Sequence, residues 1–422
     1  MNALYKKIDF NLVVILTLPF ILLAANSEWL FPYGNPSDAW INKKYFFETG
    51  NDYPAMYSSY KAARVSLHLK GLLAHNFFSP LTAHYVLHLS IFCGYLAAFY
   101  LIISNLINKH VAFISTVAFG TYSQYHAIVS FEWDYEIHDS GINTLLTLLF
   151  LLLAAKGARW RVWLVLAGAT WASEVQSTYP ALFIPVITFW YLYLNHKHQR
   201  HPIIASAIYI IIGAVAATLL YGIASYLLGG SLFIFEHQIP TLLGFGFSGI
   251  YNFHPGYWSS IGQSLQYSKG IVFPIFGVAI SAIVLTVILI QRLKLPSIDA
   301  IKLCLIALLA TFALSLALHL IGHGQLSNDH IIAFMAPYVF ISFAGVYAYF
   351  LRNADITAPS NAYKAIILKG IVLGIFCCTL IYGLTVAPMS TNFSDSVRAA
   401  LANLGFDWWN LRAYLVTNLL GK

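Results

Sequence analysis

The chain has 422 residues, of which 59% are hydrophobic and only 9% are charged, and its formal net charge is +7. A soluble domain carries about a quarter charged residues, so this composition excludes an ordinary soluble protein. No GxxxxGK[ST] motif occurs, which argues against an ATP-driven pump. The four cysteines all fall in apolar runs, and their spacing predicts neither a disulfide framework nor a zinc site.

Long apolar runs recur along the whole chain. A membrane-spanning helix needs about 20 mostly apolar residues, and lipid offers no hydrogen bonds to a bare backbone, so such runs must be helices or barrel strands. These runs are continuous rather than alternating, which indicates helices. The sequence predicts an all-α polytopic membrane protein with about eleven transmembrane helices. The runs are 8–25, 81–104, 110–128, 142–155, 160–176, 178–194, 203–228, 270–290, 303–321, 331–350 and 365–386.

The lysines and arginines predict the orientation of these spans. With the N-terminus in the cytoplasm, fourteen of the 23 basic residues fall in inner segments, but only three of the 16 acids do. We therefore interpret the positive net charge as a topology signal and not as a sign of nucleic-acid binding. Short inner loops and the missing disulfide pattern favour a bacterial inner membrane, with the functional face toward the periplasm.

Three outer segments are longer than a connection between spans requires. They are the first outer loop at 26–80, a second loop at 229–269, and the tail at 387–422. The tail contains two adjacent tryptophans and is typical of an interfacial helix. We therefore predict one transmembrane domain over 1–386, followed by this interfacial helix.

The first outer loop holds an acid close to the end of the first span. Asp38 follows Asn35, Pro36 and Ser37, a combination typical of a turn and a helix start. One interpretation is that Asp38 caps this helix. The other is that it is a general base that takes a proton from an acceptor hydroxyl.

A second helix is predicted in the same loop, over 55–78. Tyr57, Lys61, Arg64 and His68 follow i, i+4, i+7, i+11 spacing on it and so share one face. The cationic members of this face suit a phosphate or pyrophosphate at the bilayer surface, since arginine and lysine are the usual phosphate ligands. The alternative is that they reach lipid headgroups.

Four acids lie within 132–139, at the outer end of the third run. Glu132, Asp134 and Asp139 are the candidates for chemistry in this segment. Clustered carboxylates can hold a metal, orient a hydroxyl or raise one another's pKa. The alternative is that Asp139 or Ser140 caps the fourth span and the other acids are solvated.

Further polar residues are predicted at the outer ends of later spans. The loop 322–330 contains His323 and His330, which suit a phosphate or hydroxyl site. Glu174 lies at the mouth between the fifth and sixth runs, and polar residues at membrane depth usually face the interior of the bundle. Tyr251 and Trp258 in the second outer loop could stack on a sugar face or anchor the membrane interface.

The pattern resembles the GT-C superfamily of membrane glycosyltransferases, which includes protein O-mannosyltransferases, the lipid A aminoarabinose transferase and arabinofuranosyltransferases. The resemblance rests on Ser37-Asp38-Ala39-Trp40, on Tyr60-Lys61-Ala62-Ala63-Arg64, on the segment from Trp133-Asp134-Tyr135 to Asp139-Ser140-Gly141, and on the late polar loop 322–337. The resemblance covers residues 1–200 well and the remaining residues only in their layout. It implies a GT-C-like bundle with interfacial helices in the first outer loop.

The resemblance also implies an activity, namely inverting transfer of a sugar from a polyprenyl-phosphate donor to an acceptor hydroxyl on a glycolipid, glycan or protein. Asp38 would be the general base, assisted by Asp134 and Glu132. Residues implied to bind the donor phosphate are Lys61, Arg64, His68, His323 and His330. Residues implied to bind sugar or acceptor are Asp139, Glu174, Tyr57, Tyr251 and Trp258.

Two features depart from the family pattern. Many members carry a second acid beside the first, where this chain has Ala39, and many end in a soluble outer domain. The first departure weakens a metal assignment, so no cofactor is predicted and a divalent metal stays an alternative. Two other functions stay open: a flippase or transporter of lipid-linked glycans, and an O-antigen ligase or polymerase that uses a pyrophosphate-linked donor.

Overall fold

The computed structural model describes residues 9–25, 63–129, 134–156, 159–175 and 202–236, together with nine single positions between 337 and 374. Within these ranges every regular element is a helix. The seven helices with defined bounds are α1 (Phe10–Ala25), α2 (Val65–Phe77), α3 (Pro80–Leu106), α4 (Lys109–Val129), α5 (Asp134–Lys156), α6 (Trp160–Val175) and α7 (Ile203–Leu227).

The predicted apolar runs agree with these helices for α1, α3, α4, α6 and α7, with ends that differ by a few residues at most. Among the described helices, two are long and apolar enough to cross a membrane, namely α7 and the stretch Tyr85–Leu106 of α3. The all-helical prediction is therefore confirmed for the part of the chain that the structure describes. The count of eleven spans stays a prediction.

The prediction of two helices was less accurate. The second loop helix was expected to run unbroken over 55–78. Helix α2 covers Val65–Phe77 of this range, and Arg64 before it has φ −79° and ψ 45°, outside the helical region. Residues 55–62 lie outside the described ranges. In contrast, α5 is longer than the run 142–155 that predicted it, because it already begins at Asp134.

The helices pack in a row with α3 near its centre. Helix α3 contacts α1, α2, α4 and α5, while α5 contacts α6 and α6 contacts α7. A buried aromatic group holds α3 to α4, where the Phe119 ring stacks on Phe99 with 4.1 Å between ring centroids and lies 5.0 Å from Tyr95. The short helix α2 packs on α3 and also touches α7.

Helices α6 and α7 approach each other closely at two glycines. A Cβ atom added to Gly168 would overlap the carbonyl oxygen of Ile210, and one added to Gly213 would overlap the carbonyl oxygen of Val165. Small residues that let two backbones meet are typical of helix pairs in membranes. This contact therefore depends on the absence of both side chains.

The rest of the α7 surface is apolar and exposed. In water such a surface would be unfavourable, whereas next to lipid it requires no cover, so it suits a helix at the edge of a membrane bundle. The large exposed side chains are Ile203, Ile204, Ile208, Ile211, Ile212, Val215, Leu219, Leu220, Ile223, Tyr226 and Leu227.

An ion pair ties the start of α1 to the rest of the bundle, on the face predicted to be cytoplasmic. The Asp9 carboxylate accepts a hydrogen bond from Lys109 Nζ at 2.8 Å and another from Tyr100 Oη at 3.0 Å. The hydrogen bond from the Lys109 ammonium is the main reason why the pKa of Asp9 is lowered. Folding therefore favours the charged form of this carboxyl.

We predict a pH-dependent effect of Lys109→Met. Because the folded pKa of Asp9 lies below its unfolded value of about 3.9, the pair stabilises the fold above that value and loses its effect as the pH falls through the folded pKa. The variant should lower the free energy of unfolding near pH 7 by up to about 1 kcal/mol, as for exposed pairs. Thermal unfolding in detergent at stepped pH measures this.

The control for this prediction is Lys109→Arg, which keeps the positive charge and should follow the wild type at every pH. The stability gap between wild type and Lys109→Met should close in strong acid. A gap that stays constant down to about pH 2, well below the usual carboxyl pKa, would contradict the role given to Asp9.

Candidate functional site

An ion pair joins the first outer loop to the segment 132–139, which we call the acidic segment. The Lys70 ammonium on α2 donates a hydrogen bond to Asp139 Oδ1 on α5. The Asp139 side chain is only 8% exposed, whereas that of Lys70 is 38% exposed. Two segments that the sequence predicts to face a common outer site are thus in contact.

The packing of α2 on α3 explains why Lys70 can reach α5. One side of α2 is buried, and its Leu67 and Ala74 pack with Ala83, Leu87 and Ile91 of α3. Ile142 of α5 packs against the same group. This cluster holds α2 beside both spans, so that the long lysine side chain can reach the second turn of α5.

A buried hydrogen bond connects α5 to α6. The Thr144 hydroxyl donates to Glu174 Oε1 at 2.6 Å, and the Glu174 side chain is fully buried. A buried carboxyl is costly unless hydrogen bonds satisfy it, so Thr144 offsets part of that cost. Farther from the predicted outer ends of the two helices, Thr147 and Thr170 share a second hydrogen bond of 2.8 Å.

A third hydrogen bond continues from α6 to α7, where the Ser173 and Tyr221 hydroxyls lie 2.5 Å apart. We use the name polar seam for the three pairs Lys70–Asp139, Thr144–Glu174 and Ser173–Tyr221. The seam runs across α2, α5, α6 and α7, near the ends of these helices that are predicted to face outward. Its two carboxyls and four donor groups are paired with one another, so the seam ties the four helices together.

No group of three or more His, Cys, Asp or Glu side chains that could hold a metal ion occurs among the residues that the structure describes. The acidic segment contributes Asp139 to the seam, and Asp139 is paired with a lysine.

One predicted phosphate ligand, His68, lies on a buried side of α2. The His68 side chain is fully buried, on the same side of α2 as Val65 and Gly71. His68 is therefore not part of the exposed surface of α2, and its assignment as a phosphate ligand stays a prediction. Arg64 precedes the helix, so it does not share a regular helix face with His68.

The structure also contradicts one interpretation of the acidic segment 132–139, namely that Asp139 caps the fourth span. Asp139 was a candidate cap for the fourth span, but α5 begins at Asp134 and contains Asp139 in its second turn. Asp139 therefore faces a lysine instead of capping a helix. Asp134 forms the first residue of α5, and its side chain lies outside the described atoms.

The remaining predicted site residues fall outside the described ranges, so their positions stay predictions. They are Asp38, Tyr57, Lys61, Glu132, Tyr251, Trp258, His323 and His330.

Sequence reasoning missed Lys70. Its signal is weak, since it is a single lysine among the apolar residues of α2, and it gains meaning only through the partner that the fold gives it.

No protein-family model matches this chain, and comparison with the curated proteins finds no match either.

Proposed function

We propose that the protein is an inverting membrane glycosyltransferase that moves a sugar from a polyprenyl-phosphate donor to an acceptor hydroxyl. The proposed setting is a GT-C-like bundle of about eleven spans in a bacterial inner membrane, with its site toward the periplasm. The observation that carries the proposal is the Lys70–Asp139 ion pair, which joins the first outer loop to the acidic segment. Those are the two segments on which the resemblance to the GT-C superfamily chiefly rests.

In the proposed reaction, the Asp38 carboxylate accepts the proton of the acceptor hydroxyl. The hydroxyl oxygen then attacks the anomeric carbon from the face opposite to the phosphate, which inverts that centre. The bond between the anomeric carbon and the phosphate oxygen breaks, and polyprenyl phosphate leaves with the electron pair. Cationic groups of the first loop and the late polar loop stabilise the negative charge that develops on the leaving group.

The polar seam supports the proposed site by tying α2, α5, α6 and α7 together near their predicted outer ends. Its Glu174 carboxyl and the Ser173 and Tyr221 hydroxyls lie close to the outer end of α6 or α7 in the predicted topology. Asp139 was assigned to sugar binding by resemblance, and its ion pair favours a different role. We propose that it positions α2 by holding Lys70.

A transfer assay tests the proposal. Purified protein in detergent would receive a polyprenyl-phosphate sugar labelled in the sugar, together with extracted cell-envelope material as the acceptor. We expect label to move into the acceptor fraction and polyprenyl phosphate to be released, with at least about tenfold preference over the corresponding nucleotide sugar, whose leaving group has no lipid to bind.

Two parallel arms separate the alternative functions. Transfer from a pyrophosphate-linked glycan, without transfer from the monophosphate donor, would identify a ligase or polymerase instead. Movement of the lipid-linked donor across reconstituted vesicles, without transfer to any acceptor, would identify a flippase. Either result would replace the proposed activity.

A further inference from the structure

One side of α2 presents a cation next to exposed apolar side chains. Lys70, Leu73 and Phe77 follow i, i+3, i+7 spacing and therefore share this side of the helix. Leu73 is 61% exposed and Phe77 is 75% exposed. We name this surface, defined by Lys70, Leu73 and Phe77, the α2 strip.

The ammonium group is the accessible member of its ion pair. Asp139 is nearly buried, whereas the Lys70 side chain is partly exposed, so an anion that approaches from outside meets the ammonium first. A lysine has three donors, and the bond to Asp139 uses one of them. Residues 64–77 contain no Asp or Glu, so α2 itself offers no competing anion.

The shape of the strip indicates which anion it fits. Phe77 lies seven positions after Lys70, about 10 Å farther along the helix axis, so the cation stands at one end of the strip and Leu73 and Phe77 lie beyond it. One hydrocarbon chain attached to a phosphate matches that arrangement.

We propose that the α2 strip binds the lipid-phosphate part of the donor, with the Lys70 ammonium on the phosphate and Leu73 and Phe77 against the first isoprene units. This inference rests on the proposed function and names a phosphate contact in it. Asp139 is a positioning residue in this arrangement, because it holds the ammonium at the edge of the bundle.

The experiment measures binding rather than transfer. Farnesyl monophosphate and farnesol would be titrated into purified protein in detergent, and the ratio of their dissociation constants would report the phosphate contact. The test variant is Lys70→Met with Asp139→Asn, which removes both charges and so leaves no buried carboxylate unpaired. The matched control is Lys109→Met with Asp9→Asn, which removes the ion pair on the predicted inner face.

We expect the wild type and the control to bind farnesyl monophosphate more tightly than farnesol. The test variant should lose about tenfold in affinity for the monophosphate, the loss typical of one charge-assisted contact, with farnesol binding unchanged. Lys70→Arg should keep most of the preference. Thermal unfolding of every variant would show that each is folded at the assay temperature.

Several outcomes would overturn the inference. If the test variant keeps the full preference for the monophosphate, Lys70 is not the phosphate contact, although the proposed function survives. Equal competition by phosphatidylglycerol or by inorganic phosphate would show that the strip does not select a single-chain lipid phosphate. If the wild type itself shows no preference for the monophosphate, the proposed function fails together with this inference.

Discussion

Gly213→Ala is expected to destabilise the bundle by about 1–3 kcal/mol, the cost of overpacking a well-packed contact. Even one methyl group at this position would overlap the carbonyl oxygen of Val165, which is backbone and cannot rotate away. Helices α6 and α7 would have to separate, and the hydrogen bond between Ser173 and Tyr221 would lengthen with them. Thermal or SDS-induced unfolding in detergent, followed by circular dichroism, measures the loss.

A matched control is available in Gly374, a helical glycine at which an added Cβ would meet no atom of the described residues within 4 Å. Gly374→Ala should be neutral or stabilising by up to about 1 kcal/mol, since alanine restricts the unfolded chain and favours a helix. If both variants lose the same stability, the close approach of α6 and α7 is not the cause.

The double variant Gly168→Ala with Gly213→Ala provides a further test. The two glycines serve the same contact from opposite sides, so once one methyl group has separated the helices, the second should cost less than it does alone. Coupling of this kind is usual for residues that share a contact. Additive losses would indicate two independent defects instead.

The bounds of several helices could be predicted because their apolar runs end where the helices end. Helix α7 is an example, since its run begins after Pro202 and ends at two glycines. Helix α5 was predicted too short because polar residues occupy its first two turns. These polar residues are compatible with a helix in the bundle because the fold supplies partners, such as Lys70 for Asp139. A search for apolar runs cannot detect a partner that lies 69 residues away in the sequence.

The candidate site was predictable in its segments but not in its contacts. Spacing along one helix shows which residues share a face. Which face is buried depends on the neighbouring helices, and spacing does not reveal that. In α2, Leu67 and Ala74 pack against α3 and His68 is buried, while Leu73 and Phe77 are exposed. Glu174 was expected at the interior of the bundle from its depth, and that expectation is confirmed by its burial. Its partner Thr144 could not be named, because hydroxyl donors are common on every neighbouring span.

We expect Asp38→Asn to lower the rate of sugar transfer by about 10²–10⁴-fold, the usual contribution of a general base. Asparagine has nearly the same shape as aspartate but cannot accept the proton of the acceptor hydroxyl. The loss should appear in kcat, because the carboxylate acts on the reacting hydroxyl and not on the lipid phosphate. The assay is transfer from labelled polyprenyl-phosphate sugar, measured over a range of donor concentrations.

This substitution also separates the two interpretations of Asp38. Asparagine caps helices about as well as aspartate does, so a residue that only caps the first loop helix would tolerate the change. Asp38→Ala removes both properties and should therefore lose stability as well as transfer. If Asp38 is the base, kcat should fall nearly equally in the two variants. A loss of thermal stability in the alanine variant alone would show that Asp38 also caps the helix.

The control variant is Asp9→Asn, which changes an acid on the predicted inner face, distant in the proposed topology from the reacting groups. It should keep the wild-type kcat, even if its unfolding temperature falls slightly. Binding of farnesyl monophosphate should be unchanged in Asp38→Asn, since Lys70 and the α2 strip are intact. Equal transfer by Asp38→Asn and the wild type would remove Asp38 as the base and leave the acids of 132–139 as the next candidates, beginning with Asp134.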